Sequence, residues 1–137
     1  MTRVPDKLRA QVRDRAQGRC EYCLVHEDDA IYPHEPDHVI AEKHGGTTSL
    51  ENLAWSCFLC NRFKGSDLSS IDPLTNEPAL LFNPRKQQWR RHFRLNGGRI
   101  DPLTACGRAT VNLLHLNTQA SISERVRLIG VGHYPIK

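Results

Sequence analysis

The chain has 137 residues, of which 39% are hydrophobic and 25% are charged, and its net charge is +4. This length and composition predict one folded domain with a modest core. They exclude a disordered or membrane-spanning chain, because no apolar run approaches the roughly 18 residues that a membrane helix needs.

The charge is unevenly distributed along the chain. Residues 1–19 and 78–100 each contain six Arg or Lys, whereas residues 20–37 contain six acids and no Arg or Lys. Basic segments around an acidic one are typical of a protein whose rim binds a polyanion and whose centre holds metal ions. Each basic segment could equally be a solvated helix face.

The first residues lack the apolar segment of a secretory signal, so we expect a cytoplasmic location. In a reducing compartment, two C-x-x-C pairs indicate metal or redox chemistry rather than a disulfide framework.

The predicted elements begin with a helix over residues 5–17. Pro5 suits its first turn, and Leu8, Val12 and Ala16 recur every four residues on one face. A tight turn over Cys20–Cys23 follows the helix.

The middle of the chain predicts the order strand, loop, strand, helix. An irregular segment over 24–36 precedes a strand over 37–41, a glycine-rich loop over 43–48, a strand over 52–56 and a helix from Cys57 to about Gly65.

The remaining chain predicts a loop-rich stretch and then mostly helices. We expect a loop-rich stretch with little regular structure over 66–84, a short strand or helix over 85–95, a turn over 96–98, and helices over 104–116 and 121–129.

The cysteines predict a structural zinc site. Cys20 and Cys23 are separated by 33 residues from Cys57 and Cys60, and two such pairs supply four tetrahedral thiolate ligands. A redox motif would be expected beside a βαβ pattern, which this sequence lacks. Four sulfurs would close the site, so this zinc would not be catalytic. Cys106 is most simply a small buried residue.

Three residues between and beside these pairs suit phosphodiester hydrolysis. His38 is a reasonable general base because imidazole titrates near neutral pH. Asp37 and Asn61 offer oxygen ligands, which suit Mg²⁺ or Mn²⁺.

These features occur at the spacings of a known motif. Asp37-His38-Val39-Ile40, Gly45-Gly46, Glu51-Asn52-Leu53 and Cys57-x-x-Cys60-Asn61-x-x-Lys64-Gly65 resemble the HNH endonuclease motif in its four-cysteine form. The segment Arg19-Cys20-Glu21-Tyr22-Cys23 resembles its usual entry, and the resemblance extends over about residues 13–66.

The resemblance implies a ββα-metal core that pinches one divalent cation between hairpin and helix. It implies that His38 is the general base, that Asp37 and Asn61 bind the cation, and that Asn52 holds the hairpin loop and so orients the His. Cleavage would leave 5′-phosphate and 3′-hydroxyl ends. Many members have Pro where Ala41 stands, and many have His where Asn61 stands, which argues here for Mg²⁺ over softer metals.

We therefore expect an α+β fold. It would comprise a zinc-stapled ββα-metal core over residues 1–70 with an N-terminal helix, and a mainly helical extension over 71–137 that packs on the core, as one domain overall.

Several basic residues are candidates for contacts with the DNA backbone that position the duplex without reading its sequence. They are Arg62, Lys64, Arg85, Arg90, Arg91 and Arg94. Lys64 could instead be a simple helix-end charge, and Trp89 and Phe93 could either stack on bases or pack in the core.

The sequence therefore predicts a metal-dependent endonuclease that acts on double-stranded DNA as a monomer or weak dimer, with no membrane partner. The alternative is a catalytically inactive, zinc-stapled nucleic-acid-binding module. A zinc nucleobase deaminase is excluded because it needs H-x-E and P-C-x-x-C with an open zinc, whereas Ser56 precedes Cys57 and a fourth cysteine closes the site.

Overall fold

The computed structural model describes residues 3–135. Helices and antiparallel strand pairs alternate along the chain. In chain order they are α1 (Asp6–Arg15), β1 (Glu35–His38), β2 (Leu53–Ser56), α2 (Phe58–Lys64), β3 (Ser69–Asp72), β4 (Glu77–Leu80), α3 (Trp89–His92), β5 (Phe93–Asn96), β6 (Arg99–Pro102), α4 (Ala105–Leu113) and α5 (Gln119–Gly130). Short 3₁₀ turns cover Glu27–Asp29 and Glu42–His44.

The N-terminal helix packs on the first hairpin. Val12 and the β2 residues Leu53 and Trp55 form a buried cluster, against which Leu8 and Ala16 also pack. The predicted apolar face of this helix is therefore confirmed.

The first hairpin pairs β1 with β2 in antiparallel register, with His38 opposite Leu53. The strand begins at Glu35, two residues before the predicted start, and ends at His38. Pro36 is accommodated because a two-stranded sheet leaves each strand an open edge, where a missing N–H costs no ladder bond.

A second hairpin, β3–β4, occupies the stretch that was predicted to be loop-rich, with little regular structure. That prediction was wrong. Pro73 and Pro78 suggested a loop, but Pro73 lies in the turn and Pro78 lies in a strand of a two-stranded sheet, where proline is tolerated.

The third hairpin, β5–β6, follows the short helix α3 directly. The segment 85–95 therefore contains both a helical turn and a strand, and the predicted turn over 96–98 connects the two strands. The two predicted C-terminal helices are confirmed as α4 and α5, with ends that differ by one to three residues.

The main core joins the cysteine segments to the C-terminal half. Tyr22, between the first two cysteines, packs edge-on against Phe82 with ring centroids 6.4 Å apart, and Phe82 packs edge-on against Phe93 at 5.4 Å. The buried members of this core are Cys20, Tyr22, Cys23, Cys60, Phe82, Phe93, Ile100, Leu114 and Leu116. The extension thus packs directly on the cysteine knuckles.

The structure belongs to the α+β class, as predicted, with helices and small antiparallel strand pairs. Two of the three strand pairs lie largely or wholly in the extension, which is therefore less helical than the sequence indicated. Over residues 3–135, no helix is both long enough and apolar enough to span a bilayer.

Candidate metal centre and active site

The four cysteines meet in one cluster. Cys20 and Cys23 lie in the turn after α1, and Cys57 and Cys60 lie at the N-terminus of α2. Their four Sγ atoms are within 4.8 Å of one another, and those of Cys23 and Cys57 are 3.8 Å apart. Zinc binds thiolate at about 2.3 Å, which sets tetrahedral sulfur–sulfur edges of about 3.8 Å. The predicted clustering is therefore confirmed, and its donor set and dimensions fit zinc.

Among the four sulfurs the thiolate form is favoured at Cys57, whereas hydrogen bonds shared with the other thiols raise the pKa of Cys23 and of Cys60. Hydrogen bonds from the other three thiols lower the pKa of Cys57. Backbone N–H groups add further support: that of Cys60 donates to the Sγ of Cys57 at 3.4 Å, and that of Tyr22 donates to the Sγ of Cys20 at 3.4 Å.

The first cysteine turn is also tied to the hairpin. The backbone N–H of Glu21 donates to the carbonyl of Trp55 at 2.8 Å, and the N–H of Trp55 donates to the Glu21 carboxylate at 2.7 Å. The Tyr22 hydroxyl donates to Asp37 Oδ2 at 2.8 Å. The cysteine cluster and the Asp-His pair are therefore parts of one rigid arrangement.

Asp37 is held from two sides in the interior. Besides Tyr22, it accepts the Lys64 ammonium, whose Nζ is 3.2 Å from Oδ2. The two side chains are only 4% and 2% exposed. Burial raises the pKa of Asp37, and the neighbouring ammonium acts in the opposite direction. The pair is a buried ion pair between β1 and the last turn of α2.

The Lys64 ammonium also binds the backbone at the end of β1. It donates to the carbonyl oxygens of His38 and Val39, at 3.2 Å each. A lysine has three N–H donors, and these acceptors together with Asp37 account for them. Lys64 therefore holds the strand end that carries both Asp37 and His38.

His38 is anchored by the glycine-rich loop. Its Nε2 lies 2.9 Å from the hydroxyl oxygen of Thr48, and 7% of the residue is exposed. Nothing within residues 3–135 binds its Nδ1. One ring nitrogen is thus fixed and the other is available.

Asn52 fastens the loop between the two strands. Its amide nitrogen donates to the carbonyls of Ile40 and Thr47, each at 2.8 Å, and its amide oxygen accepts the N–H of Ile40 at 2.9 Å. Gly46 is required for this closure, because a Cβ there would lie 1.7 Å from the carbonyl oxygen of Ile40. Asn52 therefore sets the position of the loop that carries Thr48.

Asn61 stands across a groove from the hairpin. An open groove of about 850 Å³ is lined by Asp37, His38, Asn61 and Arg62, among others. A second cavity, beside α1, shares His38 and Asn61 with the first. The side-chain amide of Asn61 makes no hydrogen bond to any group in residues 3–135. Asp37, His38 and Asn61 therefore line one groove, and His38 and Asn61 also border the second cavity.

The six predicted phosphate contacts fall into two groups. Arg62, Arg90, Arg91 and Arg94 are exposed, and Arg62 lines the groove. Lys64 and Arg85 turn inward: Lys64 is bound as described above, and Arg85 forms an ion pair with Glu21. For these two, the predicted phosphate contact disagrees with the structure, because Lys64 is paired with the buried carboxylate of Asp37 and Arg85 with the half-buried carboxylate of Glu21.

Trp89 and Phe93 belong to the core rather than to a base-stacking surface. Phe93 is buried, its ring lies 5.0 Å from that of Trp89, and the Trp89 indole donates to the carbonyl of Tyr22 at 2.8 Å. Sequence reasoning left both roles open.

Three functional contacts were not predicted from the sequence. They are the Tyr22 hydroxyl on Asp37, the Thr48 hydroxyl on His38 and the Lys64 ammonium on the end of β1. Tyr22 and Lys64 lie inside the recognised motif, so their place in it could have indicated that they contact the site. Thr48 had no such signal, because a loop threonine is common.

Comparison with known proteins yields one match. Residues 20–67, a little over a third of the chain, match the sequence model of the family described as HNH endonuclease. The matched segment contains all four clustered cysteines and runs through β1, β2 and α2. Neither the curated proteins nor the solved structures gave a match.

Proposed function

We propose, from the premise that residues 20–67 form an HNH-family domain, that this protein is a metal-dependent DNA endonuclease. The observation that carries the proposal is the convergence of Asp37, His38 and Asn61 on one groove, beside a cysteine cluster that leaves no ligand position open. Structural zinc and hydrolytic chemistry are thereby assigned to separate places.

His38 would act as the general base. We assign its Nε2–H as the donor to Thr48, which leaves the lone pair of Nδ1 to accept a proton from water. Thr48 and Asn52 would be positioning residues, since Asn52 fixes the loop and Thr48 fixes the ring.

Asp37 and Asn61 would hold the catalytic divalent cation. Carboxylate and amide oxygens suit Mg²⁺ or Mn²⁺, and the Asn61 amide, which has no partner within residues 3–135, faces the groove. Such an ion supplies charge stabilisation to the phosphate and the leaving 3′ oxygen. With water attacking phosphorus and the 3′ oxygen leaving, the products would carry 5′-phosphate and 3′-hydroxyl ends.

Double-stranded DNA would lie across the groove. Arg62 and Lys43, both exposed, line the groove beside His38 and Asn61 and would contact the phosphates. Arg9, on the side of the second cavity, is paired with Glu35 at 2.6 Å. Phosphate contacts bind the backbone without reading bases. A monomer with one catalytic centre would cut one strand at a time. A cytoplasmic location remains a prediction.

One observation favours the second candidate, an inactive nucleic-acid-binding module. The Lys64 ammonium already occupies the Asp37 carboxylate, and His38 is nearly buried. If the cation never displaces this contact, the domain would bind DNA without cutting it.

The deciding experiment is cleavage of supercoiled plasmid by the zinc-loaded protein with Mg²⁺, Mn²⁺ or EDTA, beside His38→Ala. We expect metal-dependent nicking that falls by 10²–10⁴-fold in the variant, the usual effect of losing a general base. The matched control is His44→Ala, which replaces an exposed histidine in the segment that follows β1. DNA binding without cleavage in any metal would establish the binding module, and cleavage that survives in His38→Ala would exclude this residue as the base.

A further inference from the structure

An exposed pair of aromatic rings lies beside the groove, and one of the two lines it. Tyr32 is 58% exposed and precedes β1, and Phe58 is 40% exposed and is the first residue of α2. Their ring centroids are 4.9 Å apart with an angle of 39° between the planes. Phe58 lines the groove that contains His38 and Asn61.

Helix geometry places the Phe58 ring next to the reacting centre. Asn61 is three residues and Arg62 four residues after Phe58, so all three share one face of α2, with Cβ atoms about 5–6 Å apart. A nucleotide whose phosphate lies at Asn61 therefore brings its base or its neighbour's base within reach of this ring. Arg62, exposed on the same face, can hold the adjoining phosphate.

The pair is distinguished from the other aromatic residues by its position. Trp89 and Phe93, which stood among the basic residues of the sequence, are in the core. Within residues 3–135, Phe58 is the one phenyl, phenol or indole ring that lines either cavity at His38, and Tyr32 packs against it. Tyr32 packs on Phe58 and limits the freedom of its side chain, so that stacking costs less conformational entropy.

We propose that Tyr32 and Phe58 form a stacking platform for a base beside the scissile phosphate. This inference rests on the proposed nuclease function and revises its substrate, because an intact duplex would then be a poorer substrate than DNA in which a base has left the stack. In a regular duplex, both flat faces of a base are covered by neighbouring bases, so a ring can stack only where a base is unpaired, flipped out or unstacked by a kink. The preferred substrate is therefore DNA with an unstacked base at the cleavage site, such as a single strand, a gap or a branch point.

The test measures binding with cleavage suspended. Zinc-loaded full-length protein without Mg²⁺ or Mn²⁺ is titrated into a 2-aminopurine-labelled single strand and into its duplex, with fluorescence and anisotropy read together. We expect quenching of 2-aminopurine and tighter binding of the single strand. Phe58→Ala should weaken single-strand binding roughly 10-fold, within the range for loss of one base–aromatic stack, and change duplex binding less than about two-fold.

The controls separate stacking from folding and from general apolar contact. Phe58→Leu keeps an apolar side chain but no ring, and it should lose the quenching as well. Leu59→Ala removes an exposed apolar side chain from the same helix outside the groove, and it should change neither affinity. Zinc content and the circular dichroism spectrum verify the fold of each variant.

Several results would overturn the platform. The proposal fails if Phe58→Ala weakens binding of the single strand and of the duplex equally. It also fails if 2-aminopurine is still quenched by Phe58→Leu. If the wild type is a dimer and Phe58→Ala is a monomer, the rings are a contact between copies and the proposal fails as well. If the wild type cuts plasmid while Phe58→Ala keeps its ratio of single-strand to duplex affinity, only the platform fails. If the wild type neither cuts nor binds DNA, the proposed function fails with it.

Discussion

At the scale of single residues, the interior position of Lys64 changes the role expected for its side chain. A lysine at the end of a helix that resembles a DNA-binding element would ordinarily be assigned to phosphate. Here its ammonium is bound by the Asp37 carboxylate and by two carbonyls at the end of β1. Removing only one member of a buried ion pair leaves the other charge uncompensated, which is the costly case.

Lys64→Met should therefore destabilise the zinc-loaded protein by about 3–5 kcal/mol, measured by urea unfolding. The double variant Lys64→Met/Asp37→Asn should recover part of this loss, because it leaves no unpaired charge. Lys43→Met, at an exposed lysine beside the groove, is the control and should change the free energy of unfolding by less than about 0.5 kcal/mol. A loss below about 1 kcal/mol in Lys64→Met would contradict the ion-pair assignment.

At the scale of elements, the β3–β4 hairpin depends on one carboxylate. Asp72 accepts the Nε and Nη2 of Arg108 in α4 at 2.9 and 2.8 Å, and it accepts the backbone N–H of Leu74 in the turn at 2.9 Å. The hydrogen bond from Arg108 lowers the pKa of Asp72 to about 2. The same side chain thus closes the turn and fastens the hairpin to α4.

This pKa gives the hairpin contact a defined pH dependence. Because the pKa in the folded state is below the ordinary value of about 3.9, the stabilisation is present above about pH 4 and is lost as the pH falls towards 2. Asp72→Asn should be less stable than the wild type at pH 6, and the difference should shrink between pH 4 and 2. Urea midpoints measured across this range test it.

The urea midpoints are compared only at pH values at which both proteins still hold their metal, because loss of metal from the cysteine cluster in acid would itself unfold them. Glu77→Gln, which removes an exposed carboxylate from the same hairpin, should show no such pH-dependent difference. A difference between the wild type and Asp72→Asn that stays constant below pH 4, while both proteins keep their metal, would show that the Arg108 contact does not control the titration.

At the scale of the whole molecule, the cysteine cluster and the C-terminal half share one core. Tyr22 and the cysteines pack with Phe82 and Phe93, and the Tyr134 hydroxyl donates to the carbonyl of Cys23 at 2.9 Å. Loss of metal from the cluster should therefore also destabilise the chain outside the matched residues 20–67. The proposed organisation as one domain makes the same prediction.

We expect removal of zinc, by chelation or by Cys57→Ser, to unfold both halves in one transition, because structural zinc contributes directly to folding. The two tryptophans report on the halves separately: Trp55 is in the β2 cluster and Trp89 borders the main core. Fluorescence of Trp55→Phe and Trp89→Phe, followed during chelation, should give coincident midpoints. A native Trp89 signal after zinc loss would instead indicate an independently folded extension.

The amino-acid pattern was sufficient to predict the local features of this protein. The paired cysteines predicted the cluster, because few other arrangements use two C-x-x-C pairs in a chain of this kind. The four-residue period of Leu8, Val12 and Ala16 predicted α1 and its buried face. The order of β1, β2 and α2 was also predicted. Their motif was recognisable because the lengths of the hairpin and of the helix fix the number of residues between its positions.

Only the packing of the elements determined which charged side chains point into the protein and which point towards solvent. Lys64 and Arg85 are of residue types that usually lie at the surface, and only the packing of α2 and of the extension brings the carboxylates of Asp37 and Glu21 to them. The second hairpin escaped prediction because short strands on open edges tolerate proline and carry little apolar periodicity. The Tyr32–Phe58 pair joins residues 26 positions apart, and no local pattern encodes such a contact, because it depends on how the loop before β1 folds back over α2.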